Sequence, residues 1–498
     1  MSFFSYTAES PLLFTQLYFW LFLLVVLIVF GLVKNRLKLS HIWLLLCSYF
    51  FYYKSSGNFV ILLFAETLLT YIFAKKIAKT DKPSLKRTLL VLCIILDTAF
   101  LLYFKYTYFV VDLLNSYLSL DIKYLDYLSL FANNSFGTTF SVDKIILPVG
   151  ISFFTFQSIS YVVDVYKKRI KDDVSFTDFA FYISFFPQLV AGPIVRADVF
   201  IPQLKNKYSL TKEDFSIAFF FILKGLIKKI CVSDYISINF VDRVFSSPDT
   251  FSGIENLLAM YGYTLQIYCD FSGYTDIAIA ISLLFGFRLP SNFQSPYKAV
   301  DITDFWHRWH ISLSTWLKDY IYIPLGGNRK GKIRQYLNLF LTMLIGGLWH
   351  GANLKFVFWG GMHGVLLILD KIWKNFIGKL QEKTVYRFIS AVITFHLVAM
   401  LWIFFRADDF NTATILLQKI FSVNIATILP VFTAYWKPLA VIVLALVIHI
   451  LPLKWKDAYV EMFYRTNIVA KILFAVILIF IMVQMKSSAI QPFIYFQF

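Results

Sequence analysis

The chain has 498 residues, 58% of them apolar and only 15% charged, where a soluble domain carries about 25% charge. A mean hydropathy of +0.66 and 19% aromatic residues exclude disordered, collagenous and coiled-coil classes and indicate a multi-pass membrane protein, whose interfaces favour amphipathic rings. The balance of 47 basic against 30 acidic residues, or +17, reads as the basic excess of cytoplasmic loops and not as a nucleic-acid surface, because no basic helix or recognition module accompanies it.

Residues 10–33 carry no charge, which makes about 36 Å of helix at 1.5 Å per residue, enough to cross a bilayer. Lys34, Arg36 and Lys38 follow this run instead of preceding it, so it is a span with the N-terminus outside and not a signal peptide. Further apolar runs lie near 41–53, 55–74, 88–104, 145–163, 179–195, 257–287, 335–369, 388–405, 420–436, 438–453 and 472–485. Together they predict an all-α protein of roughly eleven transmembrane helices with shorter buried or re-entrant pieces. The basic loops around 34–38 and 75–87 fall on one side, with Lys54–Gly57 as the outer turn. The segment FFPQLVAGPIVR, residues 185–196, holds two prolines and a glycine. Broken helix at membrane depth must be buried in protein or line a cavity, so this segment is predicted to be re-entrant. No repeat, linker or soluble domain interrupts the chain, and residues 1–498 are expected to form one membrane-embedded domain. Cys47, Cys93, Cys231 and Cys269 lack pair or metal spacing and read as small core residues.

An ionisable residue within an apolar span is a functional candidate by default. His350 sits in GGLWHGAN, residues 346–353, where small residues let a substrate or another backbone come close. His396 is equally embedded but has ordinary apolar neighbours, and reads as a hydrogen-bonded core histidine. The stretch 301–331, DITDFWHRWHISLSTWLKDYIYIPLGGNRKG, crowds three Trp and two His into a membrane-edge segment. His307 and His310, three apart, would share a helix face, but no third metal ligand stands at a suitable spacing, and no metal site is expected. The loop GGNRKGK at 326–332 has the outline of a phosphate-binding loop, yet Ile333 replaces the magnesium-binding hydroxyl and no strand context surrounds it, which excludes an NTPase. Its Arg329, Lys330 and Lys332 could still receive the phosphates of an acyl-CoA, or simply be a basic cytoplasmic loop. There is no GxSxG motif, so an enzyme here would rely on a histidine base. The acids Glu66, Asp97, Asp270 and Asp276 lie within apolar runs and are candidate proton-relay groups or, more simply, paired charges, with Arg288 a conceivable partner of the last two. Asp172-Asp173 and Asp408-Asp409 read as solvated loop charges.

FWHRWHISLSTWLKDYIYIPLGGNRKG (305–331) and GGLWHGANLKFVFWGGMHG (346–364) place two histidines forty residues apart. These segments, with LPVGISFFTFQSISYVVDVY (147–166), FFPQLVAGPIVR and QIYCDFSGYTDIAIAISLLFGFRLPSNFQSPY (266–297), resemble the membrane-bound O-acyltransferase superfamily, and within it the bacterial alginate O-acetyltransferase branch. The resemblance spans about residues 1–485 and implies a catalytic core at about 145–370, with His350 the catalytic histidine and His310 the second active-site histidine. No role is carried to His307. It further implies an acetyl-CoA donor in the cytoplasm, no bound cofactor, and an extracytoplasmic polysaccharide acceptor reached through a secreted or periplasmic acetyltransferase partner. A related branch moves D-alanine onto teichoic acid. A hydroxyl needs a base to attack, whereas a thiolate leaves readily, so His350 as general base suffices chemically. His310 would then supplement His350, with Trp349 or Asn353 near the oxyanion. A lipid or glycan transporter with histidine proton relays is the rival from another class.

Overall fold

The computed structural model describes residues 6, 11–138, 140–170, 173–190, 192–485 and 493–494, so Asp172 and Ala191 lie outside it. Every regular element among the described residues is a helix, in keeping with the composition. Six helices are long and apolar enough to cross a membrane, or up to eight if each of two sharply bent pairs is one span. One of the six, Leu37–Lys79, would be about 65 Å long if continuous, and it is interrupted at Gly57, within the expected outer turn. The difference from roughly eleven apolar runs has several sources: the first run forms the 17-residue helix Leu17–Val33, two runs join in Leu37–Lys79, two pairs are sharply bent, and others are short buried pieces. Helix Ile151–Tyr166 has 16 residues and buries Ser152, Thr155, Gln157, Ser158 and Asp164 against other helices. The segment 185–196 holds a four-residue buried helix, Phe186–Leu189, with non-helical chain after it, the broken form its prolines dictate.

Helix Gly253–Leu284 is the axis of the interior. It starts at Ser252, whose hydroxyl accepts from the Glu255 N–H at 3.4 Å while the Glu255 carboxylate accepts from the Ser252 N–H at 2.7 Å, a reciprocal cap that satisfies two otherwise orphaned donors. Helix Lys212–Leu226 packs along it through two glycines. A Cβ on Gly225 would stand 2.6 Å from the Gly273 carbonyl oxygen, so only glycine permits this crossing. The close approach sets Lys224 and Lys228 on Asp276, at 3.1 and 2.7 Å. Lys229 is paired with Asp270, and with Asp234 at 2.8 Å. Arg288, expected as a partner of Asp270 or Asp276, instead pairs with Asp214 at 2.7 Å. The lysines of the neighbouring helix reach the buried carboxylates first, and Arg288, lying past the end of the axial helix, reaches only the first turn of Lys212–Leu226. All four cysteines are free and buried.

Candidate active site

His350 is the last residue of helix Lys332–His350, and the return helix Leu354–Ile377 begins four residues later. The two pack tightly because both carry glycine at the contact. A Cβ on Gly347 would collide with the Phe356 carbonyl and stand 3.0 Å from the Gly360 Cα. Asn353 closes the turn by accepting the Lys355 N–H at 3.0 Å. The hairpin holds His350 inside the protein, only 3% exposed, among Trp349, Trp359 and Phe405 with ring centroids at 5.0, 5.2 and 5.3 Å.

His310 is fully buried and stands between the short helices Ile302–Arg308 and Ile311–Leu317 in a left-handed conformation, φ 42° and ψ 54°, which a non-glycine residue adopts only when its surroundings hold it there. Asn292 does this from outside the helices: its carbonyl accepts the Ile311 N–H at 3.0 Å and its side chain accepts the Ser312 N–H at 3.2 Å. The Trp349 ring touches both histidines, with centroids 6.0 Å from His310 and 5.0 Å from His350.

A third group comes from far away in sequence. The helix after Pro83 widens into a π turn at Leu102–Tyr106, a form recurrent at functional sites because the extra residue turns side chains out of register. From this turn Lys105 donates to the Trp349 and His350 carbonyls at 2.7 and 3.1 Å, and Tyr106 donates to the Leu348 carbonyl at 2.6 Å. Three consecutive carbonyls at the end of the His350 helix, which its own ladder cannot satisfy, are thereby filled, and a cation faces the negative end of the helix dipole. Lys105, Ser152, Trp349 and His350 line a cavity of about 50 Å³, together with Gly150 before helix Ile151–Tyr166 and Val190 after helix Phe186–Leu189. It has room for a few waters.

Two expected relationships change. His307 is exposed and His310 buried, so they do not share a helix face: the helix stops at Arg308 and the left-handed turn sends His310 inward. Arg329, Lys330 and Lys332 are exposed, at or next to the opposite end of the 19-residue helix that ends in His350, and the fold does not gather them with the histidines. The Trp349 indole donates to the Ser152 carbonyl at 3.4 Å and the Asn353 side chain caps a helix. Trp349 lines the cavity, and Asn353 caps the return helix. His396 has both ring nitrogens engaged, by the Tyr261 hydroxyl at 2.9 Å and the Val392 carbonyl at 2.7 Å, as a core histidine would. His363 is the residue that the sequence reading passed over. It is fully buried, with its ring 4.7 Å from Trp359 and 5.1 Å from Trp306. The flanking Gly360, Gly361 and Gly364 repeat the small-residue setting of His350 and could have drawn attention to it.

Buried histidines around a helix hairpin, within a helical bundle long and apolar enough to cross a membrane several times, define a membrane-embedded site and not a soluble catalytic cleft. The chain belongs to the membrane-bound O-acyltransferase family, MBOAT, whose model matches residues 14–406, a range containing every residue of this site. It is 37% identical over 417 residues to the peptidoglycan O-acetyltransferase of Helicobacter pylori, covering 78% of this chain and 75% of that protein. It is also 37% identical over 410 residues to the probable alginate O-acetylase AlgI of Pseudomonas aeruginosa, covering 82% and 74%. A teichoic acid D-alanyltransferase of Bacillus subtilis is 28% identical over 277 residues, covering 53% and 69%.

Proposed function

We propose that the chain transfers an acetyl group from acetyl-CoA in the cytoplasm to a hydroxyl of an extracytoplasmic polysaccharide, an alginate-like exopolysaccharide or peptidoglycan, with His350 as the general base. The observation that carries the histidine assignment is the placement of His350: buried, at the end of a helix fixed by Lys105, and on the wall of a cavity. The peptidoglycan and alginate O-acetylating relatives support acetyl transfer, and they match more of the chain at higher identity than the D-alanyl relative does.

In the proposed step the His350 imidazole takes the proton of the acceptor hydroxyl as its oxygen attacks the thioester carbonyl. The new C–O bond forms, the C–S bond breaks, and the departing thiolate takes the proton from the imidazolium. Lys105, donating to the His350 carbonyl, holds the helix end that carries the base. His310, across the Trp349 ring, supplements His350 by orienting the acceptor. On this reading the protein lies in the bacterial cytoplasmic membrane with its N-terminus outside, works as one domain whose core is about 145–370, and hands acetyl groups to a secreted or periplasmic acetyltransferase.

The test is the ester-linked acetate released by mild alkali from envelope polysaccharide of cells carrying wild-type protein, His350→Ala or no protein. Loss of the ester in both of the last two supports the proposal. Ester at wild-type level in His350→Ala cells would refute it.

A further inference from the structure

We propose that Lys228, Lys298 and Lys456, beside Lys224, form a binding site for the phosphate groups of a ligand, either the nucleotide portion of the acyl donor or the headgroup of an anionic phospholipid. The first source deepens the donor part of the function proposed above and rests on it.

The cluster joins four separate parts of the chain. Lys224 and Lys228 come from the helix packed along the axial helix, and Asp276 is the carboxylate they share. Lys298 comes from the loop before His310 and donates to the Leu451 carbonyl at 3.3 Å. Lys456 comes from the helix after the sharp bend at Leu451 and Pro452, and donates to the Ser295 hydroxyl at 2.8 Å and the His449 carbonyl at 2.9 Å. The Tyr268 ring, 5.3 Å from Lys228, lies 4.6 Å from the His449 ring, and the His449 carbonyl accepts from Lys456. Two of the four lysines share one carboxylate. Among the described residues Lys298 and Lys456 meet only neutral oxygens. Lys229, the next cation, is matched separately by Asp234 and Asp270.

Like charges gathered round a single carboxylate repel one another, the more so where solvent and salt screen them less. Natural proteins gather them where an anion neutralises the excess, and lysine ammonium groups on different elements converge on phosphate as point charges. The site is also built. Ser295, whose hydroxyl receives Lys456, is held left-handed at φ 48°, and the Tyr297 N–H donates to His449 Nε2 at 3.2 Å, which fixes the loop that carries Lys298.

The cluster connects to the histidines through a lane of rings. Lys228 lies 5.3 Å from the Tyr268 centroid. Tyr268 is followed by Phe293 at 5.7 Å, Phe271 at 5.1 Å and His310 at 4.6 Å. These ring contacts tie the lysine-bearing elements to the turn that carries His310. The exposed loop with Arg329, Lys330 and Lys332 shows no comparable convergence.

The experiment measures binding of coenzyme A by calorimetry to full-length protein in maltoside micelles, and retention of phosphatidylglycerol by native mass spectrometry. The variants are Lys298→Gln with Lys456→Gln, Lys298→Arg with Lys456→Arg, and, as the competing location, Arg329→Gln with Lys330→Gln and Lys332→Gln. Coenzyme A affinity falls about tenfold or more in the first pair and is retained in the arginine pair if the nucleotide is the source. Loss of phosphatidylglycerol retention in the first pair, with coenzyme A unaffected, supports the same site with lipid as the source. His350→Ala keeps coenzyme A affinity whether or not it abolishes transfer, so a failure of the catalytic reading is separable from a failure of this one. Coenzyme A and lipid binding both unchanged in the glutamine pair, or coenzyme A affinity lost only in the loop variant, would overturn the proposal.

Discussion

Replacing Lys105 with methionine keeps most of the side-chain volume and removes the charge that holds the end of the His350 helix. In the native protein its ammonium donates to two carbonyls at 2.7 and 3.1 Å. Hydrogen bonds to a charged group contribute about 1.5–3 kcal/mol each, and a cation at a helix C-terminus adds about 0.3–1 kcal/mol. The desolvation of a buried ammonium offsets this in whole or even exceeds it, so global stability changes by no more than about 2 kcal/mol in either direction. Local order changes more, because the Trp349 and His350 carbonyls then face the cavity without a donor and the helix end can fray. A base displaced by about 1 Å costs on the order of a hundredfold in rate. Lys105→Met is therefore expected to lower kcat for acetyl transfer about a hundredfold while KM for the donor stays within about threefold, and Lys105→Arg is expected to recover about a tenth or more of the activity. Steady-state transfer of radiolabelled acetyl by protein in nanodiscs, with the melting temperature recorded alongside, is the assay. A kcat within about twofold of wild type in a folded Lys105→Met protein would refute the positioning argument.

Gly347→Ala forces the hairpin helices apart, since its Cβ has no room beside Phe356 and Gly360, and an overpacked contact costs about 1–3 kcal/mol; a lowered melting temperature with reduced activity is expected, and an unshifted melt would contradict it. His363→Ala removes a buried ring that meets Trp359 and Trp306 edge to face and is expected to lower kcat by much less than His350→Ala does, with little change in the pH–rate profile, which the same labelled transfer assay measures. Burial works to raise the Asp214 carboxyl, but hydrogen bonds from the Thr211 hydroxyl and N–H and the nearby Arg288 outweigh it and hold the group below the usual carboxylate range. A carboxyl with a depressed folded-state value stabilises fully above its unfolded value and loses that contribution as pH falls through the folded one, so Asp214→Asn lowers the melt at pH 7 and narrows the gap from wild type near pH 3. A gap that widens on acidification would contradict this.

The apolar runs, the break at 185–196 and the environment of His350 were legible because each leaves a local mark: uncharged length, paired prolines, and glycines where two helices must touch. The bent and buried pieces were not separable from true spans, since a run such as 145–163 reads as apolar while its polar residues are hidden by tertiary packing. His307 and His310 are three apart, a helical spacing, and only the left-handed turn at His310, set by Asn292 from outside the segment, overrides it. Lys105 meets His350 across 245 positions, and no local pattern marks either that contact or the π turn that aims it. The Asp270 and Asp276 partners were misassigned to Arg288 for the same reason: the Gly225 and Gly273 crossing that brings the lysines in is a property of two helices together.

The central claim is histidine-dependent acyl transfer at this site. Thiol release from acetyl-CoA by purified protein in nanodiscs, with and without a polysaccharide acceptor, compares wild type with His350→Ala and His396→Ala. Acceptor-dependent release that persists in His396→Ala and disappears in His350→Ala is the expected result, and release undiminished by His350→Ala would contradict the account.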